Sequence, residues 1–293
     1  GIMNEEYEFA DKITEEQFYS FMQNCLDLQR DMDAIADKQR QEWLTEEGIP
    51  ILRRDNHTAA IVELAEAIEH IGFKWWKKDE CYHNIPPVRA RLFLGELIDV
   101  FHFLLSELNR FMHTHEGDWN TSSLRSTDDL FRFSRMADTI IHNVNFPAIP
   151  SLSYTQEGYI HCIALLQQKI LDDRLSMGVT ISRYNKIKAI FIEFFNIAVS
   201  AFRNLSPNDP KTDHKITYGQ AFELIFKYYI GKNALNRLRQ DVGYGSKYPK
   251  VWNDGREDNL WLDDILYELS VEETTIKTVY SRLYDAYMGV NYV

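Results

Sequence analysis

Four acidic residues have the spacing of a metal site on two consecutive helices. Glu63 and Glu66 are three positions apart, and so are Glu96 and Asp99. Residues three apart lie on one face of a helix, and apolar side chains flank both faces. If the two helices pack antiparallel, the four carboxylates converge, and buried anions of this kind are stable only when cations neutralise them. A hard divalent cation with oxygen ligands, Mg²⁺ first, would do so.

Two other interpretations of the acidic pairs stay open. Each pair can be a solvated helix face, and the chain would then be a helical scaffold or interaction protein. A di-iron bundle is the other alternative, but it needs two Glu-x-x-His motifs. Asp99 and His102 form one imperfect copy, whereas His70 and His161 follow a glutamate by four positions. The second copy is missing, so the di-iron interpretation ranks below the Mg²⁺ site.

A group of residues further along the chain has the chemistry of a polyphosphate site. Lys232, Asn236 and Arg239 share one helix face at i, i+4 and i+7. Cationic side chains attract phosphate oxygens, and glycines allow backbone N–H groups to approach them. The alternative is a solvated helix face with a basic end. The stretch 243–260 follows this helix and contains three glycines, together with Tyr244, Lys247, Tyr248, Lys250 and Asn259.

The elements that must position these residues are helices. Glycine and proline together make up only 21 of the 293 residues, which disfavours turn-rich β architectures. No segment alternates with the period of a strand. Helical spacing of apolar residues and capping signals predict helices at about 14–45, 57–71, 88–113, 127–145, 154–173, 181–203, 217–241 and 271–288. Thr14 with Gln17, and Thr217 with Gln220, have the spacing of a capping box.

We therefore expect one all-α domain over 3–293. Its core helices would lie within about 14–113 and 154–241, and 114–153 would be an insertion whose first part, 114–126, is a loop. Because 243–260 combines glycines with few apolar anchors, we expect it to be mobile alone and to close over the substrate.

Composition and charge exclude several classes of partner. The formal net charge of −12 disfavours nucleic acid and anionic membranes. No run of 18 apolar residues and no signal peptide is present, so we expect a soluble intracellular protein in the cytoplasm or nucleus. The three cysteines lack zinc-site spacing, and their odd number argues against a disulfide framework.

Several blocks of the chain, in this order and spacing, resemble the dimeric all-α dUTPases. The resemblance is to the larger kinetoplastid-type members of that family, which are relatives of the MazG-like all-α nucleotide pyrophosphatases. It implies an all-α multi-helix bundle of the NTP pyrophosphatase type and a homodimer. The blocks are Leu28-Gln29, Glu63-Leu-Ala-Glu66, Lys74-Trp-Trp-Lys77, Glu96-Leu-Ile-Asp99-Val-Phe-His102-Phe103, Tyr228-Tyr-Ile-Gly-Lys232-Asn-Ala-Leu-Asn236-Arg-Leu-Arg239-Gln240, Gly243-Tyr244 and Gly255-Arg-Glu257-Asp258-Asn259.

The resemblance also implies an activity, which is Mg²⁺-dependent hydrolysis of dUTP, and also of dUDP, to dUMP with release of pyrophosphate or phosphate. It places the metal ligands on Glu63, Glu66, Glu96 and Asp99, with Glu63 as the catalytic base. It places uracil and deoxyribose among Gln29, Trp75, His102, Phe103 and Asn236. It places the phosphates near Lys77, Lys232, Arg239, Tyr244, Lys250 and Asn259.

Two positions depart from the family pattern. Asp33 stands where the family has an asparagine four residues after the glutamine. The loop after Gly243-Tyr244 is one residue shorter, so both Lys247 and Lys250 remain candidates for the phosphate contact. The alternative enzyme is a sibling all-α nucleoside triphosphate pyrophosphatase, MazG-like or dCTPase-like, with another base preference.

Overall fold

The computed structural model describes residues 13–46, 48, 54–121, 133–144, 156–176, 180–243 and 247–292. In these ranges the chain forms nine α-helices and no strand, which confirms the predicted all-α class. The helices are α1 Glu15–Glu46, α2 Asn56–His70, α3 Pro87–Thr121, α4 Phe133–Asn143, α5 Gln156–Leu175, α6 Thr180–Leu205, α7 Tyr218–Val242, α8 Asp258–Glu268 and α9 Ile276–Asn291.

Two helices begin at the capping boxes that the sequence predicts. At α1, the Gln17 backbone N–H donates to Thr14 Oγ1 at 3.1 Å, and the Thr14 N–H donates to Gln17 Oε1 at 2.9 Å. At α7, Thr217 and Gln220 make the same reciprocal pair at 2.8 and 3.0 Å. Each box satisfies two backbone donors that the first turn of a helix leaves without intrahelical partners.

The end of α2 depends on a glycine. Gly72 has φ of +72°, and a Cβ at this position would lie 2.3 Å from the Tyr82 ring. No other residue type fits that turn without moving the ring. Beyond it, an isolated bridge between Phe73 and Cys81 closes a loop, 73–81, that carries the Trp-Trp-Lys-Lys stretch.

Three predictions about loops are wrong. α3 continues to Thr121, so the part of the predicted loop 114–126 that the structure describes, 114–121, is helical. α8 was not predicted, and it shortens the expected loop 243–260 because it begins at Asp258. Tyr248 and Trp252 are 8% and 2% exposed, so this loop does have apolar anchors. Its role in closing over the substrate stays a prediction.

The chain divides into two compact units. The first comprises the described residues of Gly1–Asn24 and Asp55–Ile225, and the second those of Cys25–Arg54 and Phe226–Val293. α1 and α7 each contribute residues to both units. In the first unit α2 packs against α3 and α5, and α6 packs against α3, α4 and α5. The single domain predicted over 3–293 stays a prediction.

Each unit has its own apolar core. Five buried phenylalanines of the first unit pack with neighbouring ring centroids 5.0 to 6.0 Å apart: Phe18, Phe101, Phe194, Phe195 and Phe222. In the second unit α8 packs against α9, and their apolar faces join Leu235 and Leu238 of α7 with Tyr248 and Trp252. Burial of apolar area of this kind is the main stabilising contribution in both units.

A network of buried charges links four helices of the first unit. The Arg183 guanidinium of α6 lies 2.9 Å from both Asp173 of α5 and Glu107 of α3. His57 of α2 lies 2.7 Å from Asp173. Arg110 donates twice to Glu107, at 2.8 and 3.0 Å. Two guanidinium groups therefore balance two buried carboxylates, and we expect this cluster to be structural, without a place for a cation.

Candidate active site

Packing of α2 against α3 brings predicted metal ligands together in the first unit. Ligand oxygens of Glu63, Glu96 and Asp99 all lie within 4.8 Å of one another. Glu66 is one turn beyond Glu63, and its charge acts on Glu63. It is more exposed than the other three carboxylates. The i, i+3 spacing places Glu96 and Asp99 on one face of α3, where both lie close to Glu63, whereas Glu66 is not in this group of mutually close ligand atoms.

The carboxylates of this group repel one another. Burial raises the pKa of Glu63 to about 10, and a hydrogen bond to Glu96 together with the charges of Asp99, Glu96 and Glu66 adds to the shift. At neutral pH Glu63 therefore holds a proton in the protein alone. Carboxylate oxygens in this number and at this spacing are the donors that a divalent cation prefers, and such a cation can replace the proton.

We predict that Mg²⁺ stabilises the protein more at high pH than at low pH. The folded-state pKa of Glu63 is raised above the ordinary 4.5, so the folded state binds more protons than the unfolded state between these values. Stability of the metal-free protein therefore falls as pH rises through this window. Melting temperatures with EDTA and with Mg²⁺ at about pH 5.5 and 8.5 measure it. In Glu63→Gln, the stabilisation by Mg²⁺ should differ much less between the two pH values. An unchanged pH dependence would contradict its assignment to Glu63.

The remaining predicted residues of the first unit differ in exposure. Trp75 is 79% exposed, and its ring meets Trp76 edge-on with centroids 4.5 Å apart. Lys77 is exposed and pairs with Glu80 at 3.1 Å. Such an exposed ion pair contributes little stability, so a phosphate can compete for the lysine. His102 is buried on α3, one turn beyond Asp99, and Phe103 beside it is half-buried.

The predicted base-binding glutamine lies in the second unit. Gln29 is 4% exposed, accepts a hydrogen bond from the Tyr229 hydroxyl at 2.8 Å and donates to Asp33 at 2.9 Å. A carboxylate without its proton only accepts, so Asp33 requires the NH₂ side of the amide to face it. Arg54 lies 3.4 Å from Asp33 and balances its charge. Asp33, at the departure from the family pattern, thus orients Gln29.

The structure brings two of the predicted phosphate-binding residues together, Lys232 on α7 and Asn259 on α8. Lys232 Nζ donates to Asn259 Oδ1 at 2.8 Å. Lys250 and Lys247 are both exposed, and Tyr244 lies outside the described residues. The contact joins a helix residue to a residue 27 positions later, and the sequence patterns of the two elements could not reveal it.

Arg239 has a partner that the sequence pattern does not predict. Its guanidinium makes two hydrogen bonds to Asp258, at 2.8 and 2.9 Å, and a longer one of 3.4 Å to Asn236. The Tyr248 hydroxyl also donates to Asp258, at 2.8 Å. Arg239 is 7% exposed, and Asp258 is fully buried. This pair anchors the start of α8 to α7, and contact of Arg239 with phosphate stays a prediction.

Comparison with known protein families identifies the family of the chain. The family model described as dUTPase matches residues 21–198, which is more than half of the chain. The chain belongs to the all-α dUTPase family. It is accordingly an enzyme, a dUTP diphosphatase that hydrolyses dUTP, and the family uses a divalent metal. A search of curated proteins gives no match.

The matched region of this dUTPase includes Gln29 and all four acidic residues on α2 and α3. It ends before α7, so Lys232, Asn236, Arg239 and Asn259 lie beyond the family match. None of the helices in the described ranges has the length and hydrophobicity of a bilayer span.

Proposed function

We propose that the enzyme hydrolyses dUTP to dUMP and pyrophosphate, and dUDP to dUMP and phosphate, with Mg²⁺ as its cation. The group of Glu63, Glu96 and Asp99 is the observation that supports the proposal most, because its oxygens lie within 4.8 Å of one another and the neighbouring carboxylates raise the pKa of Glu63. Magnesium ions prefer carboxylate ligands combined with substrate phosphates.

Each acidic residue has a role in this proposal. Glu63, Glu66, Glu96 and Asp99 would hold the cation, which when bound neutralises phosphate charge and makes water more acidic. Glu63 would accept the proton of the attacking water, because the cation replaces the proton that this carboxylate holds in the protein alone and leaves it ionised. The water oxygen forms a bond to the β-phosphorus. The bond from that phosphorus to the bridging oxygen breaks, and dUMP departs with this oxygen.

Base selection would depend on Gln29. An amide donates from its nitrogen and accepts at its oxygen, so in one fixed orientation it matches the edge of uracil and not that of cytosine, where donor and acceptor are exchanged. Asp33 and Tyr229 fix the direction of this amide, so it presents a single pattern of donor and acceptor. A site that forms hydrogen bonds to a base discriminates far more strongly than one that only excludes a methyl group, which is worth about 1–3 kcal/mol.

Product analysis across a panel of nucleotides tests the proposal. With Mg²⁺, dUTP and dUDP should be consumed, dCTP should react at least about 100-fold more slowly, and dTTP and UTP should also react more slowly than dUTP. In water enriched in ¹⁸O, the label should enter pyrophosphate from dUTP and phosphate from dUDP, and dUMP should stay unlabelled. Label in dUMP would place the attack at the α-phosphorus, and equal rates for dCTP would favour the sibling pyrophosphatase.

We also propose a homodimer, as the resemblance to the dimeric family implies. The first unit exposes large apolar side chains that a partner copy could cover, among them Trp75, Trp76 and Val88. Light scattering is expected to give about twice the 34.5 kDa mass of the chain. A mass of one chain at micromolar concentration would contradict the dimer.

A further inference from the structure

A histidine that the proposed function leaves without a role lies beside the acidic group. His70 is the last residue of α2, one turn beyond Glu66 and two turns beyond Glu63, so it shares their helix face. Its Nε2 lies 3.2 Å from Glu96 Oε1 on α3. The side chains of His70 and Glu96 are 19% and 18% exposed, which shields the contact from solvent.

The two ring nitrogens of His70 have different surroundings. Nδ1 is buried and has no hydrogen-bond partner among the residues that the structure describes. Nε2 faces a carboxylate oxygen, which accepts, so the hydrogen of a neutral ring belongs on Nε2. His70 therefore donates to one oxygen of Glu96.

A donor on one carboxylate oxygen limits rotation of the whole group. Glu96 is shared between two neighbours, because it bonds both to Glu63 and to His70. Partners that hold a ligand in this way typically affect metal affinity 10- to 100-fold. His70 itself lies outside the group of mutually close ligand atoms formed by Glu63, Glu96 and Asp99 among the described residues.

We propose that His70 is a positioning residue, which orients Glu96 for the divalent cation without binding the cation itself. The inference rests on the proposed function, because it assumes that the acidic group holds a cation. In this role the His70 nitrogen supports an oxygen ligand and does not coordinate the cation. The cation should therefore have oxygen ligands only.

Cation affinity of the metal-free enzyme tests this role apart from turnover. Mn²⁺ replaces Mg²⁺ here because it takes the same oxygen ligands and is visible by electron paramagnetic resonance. His70→Phe keeps the ring volume and removes the donor, whereas His70→Gln keeps a donor of similar reach. His161→Phe is the matched control, because His161 also follows a glutamate by four positions but is exposed on α5.

We expect His70→Phe to raise the dissociation constant for Mn²⁺ at least about tenfold, and His70→Gln and His161→Phe to stay within about threefold of the unmodified enzyme. Pulsed spectra of the unmodified enzyme should show no coordinated nitrogen. Unchanged affinity in His70→Phe would overturn the inference and leave the proposed function standing. Coordinated nitrogen, or a loss in His70→Gln equal to that in His70→Phe, would make His70 a ligand. Absence of Mn²⁺ binding by the unmodified enzyme would overturn both the cation site and the inference.

Discussion

Asp99→Asn is expected to reduce dUTP hydrolysis at least about 1,000-fold, equivalent to about 4 kcal/mol of transition-state stabilisation. An amide oxygen is a weaker ligand than a carboxylate, and one of the three closest oxygen groups of the site would lose its charge. The metal-free variant should melt at a higher temperature than the unmodified enzyme, because one of the charges that repel each other around Glu63 is gone. Opposite changes in activity and stability are the signature of a functional acidic cluster.

Glu66→Gln should also lower the activity and raise the melting temperature of the metal-free enzyme, since the charge of Glu66 also acts on Glu63. The control is Asp172→Asn, which makes the same chemical change at an exposed position of the same unit. Steady-state rates at matched Mg²⁺ and melting temperatures in EDTA are the measurements. Normal activity in Asp99→Asn or Glu66→Gln would rule out the proposed four-carboxylate site.

The second large effect concerns stability. Arg183→Met should lower the free energy of unfolding by about 3–5 kcal/mol, because Glu107 and Asp173 would lose the guanidinium that lies 2.9 Å from each. Both carboxylates stay buried after the change, and the methionine offers them no hydrogen bond. Urea denaturation followed by circular dichroism measures the loss.

Arg174→Met provides the comparison. Arg174 also pairs with an aspartate, Asp55, at 3.0 Å, but the two side chains are 43% and 37% exposed. An exposed pair of this kind contributes at most about 1 kcal/mol. Losses of similar size in the two variants would show that the buried network is not what makes Arg183 important.

Local sequence patterns predict helix starts, a helix end and the two acidic pairs, because these features depend on residues only a few positions apart. The boxes at Thr14 and Thr217, the stop at Gly72 and the two acidic pairs are all set by spacings of a few positions. The start of α8 is different: Asp258 bonds to Arg239, 19 positions earlier, and no short-range period contains that information.

The same limit explains which contacts the sequence did not show. His57 and Asp173 are 116 positions apart, and His70 and Glu96 are 26 apart. Each pair joins different helices, so its members meet only after those helices pack. The burial of Tyr248 and Trp252 has the same origin, because glycines and lysines nearby suggest a solvated loop while the contacts come from α8 and α9.

Cys81, which the bridge to Phe73 places at the base of the loop 73–81, offers an attachment point for a spectroscopic probe. Cys81 is exposed, whereas Cys25 and Cys162 are buried. Burial raises the pKa of the Cys25 thiol, and burial together with the charge of Glu193 raises that of Cys162 to about 11. Thiol reagents act on the thiolate, so a maleimide dye should label Cys81 alone. That dye would be attached at the base of the loop carrying Trp75 and Trp76, two of the six tryptophans, and its emission could follow nucleotide binding in real time without any substitution.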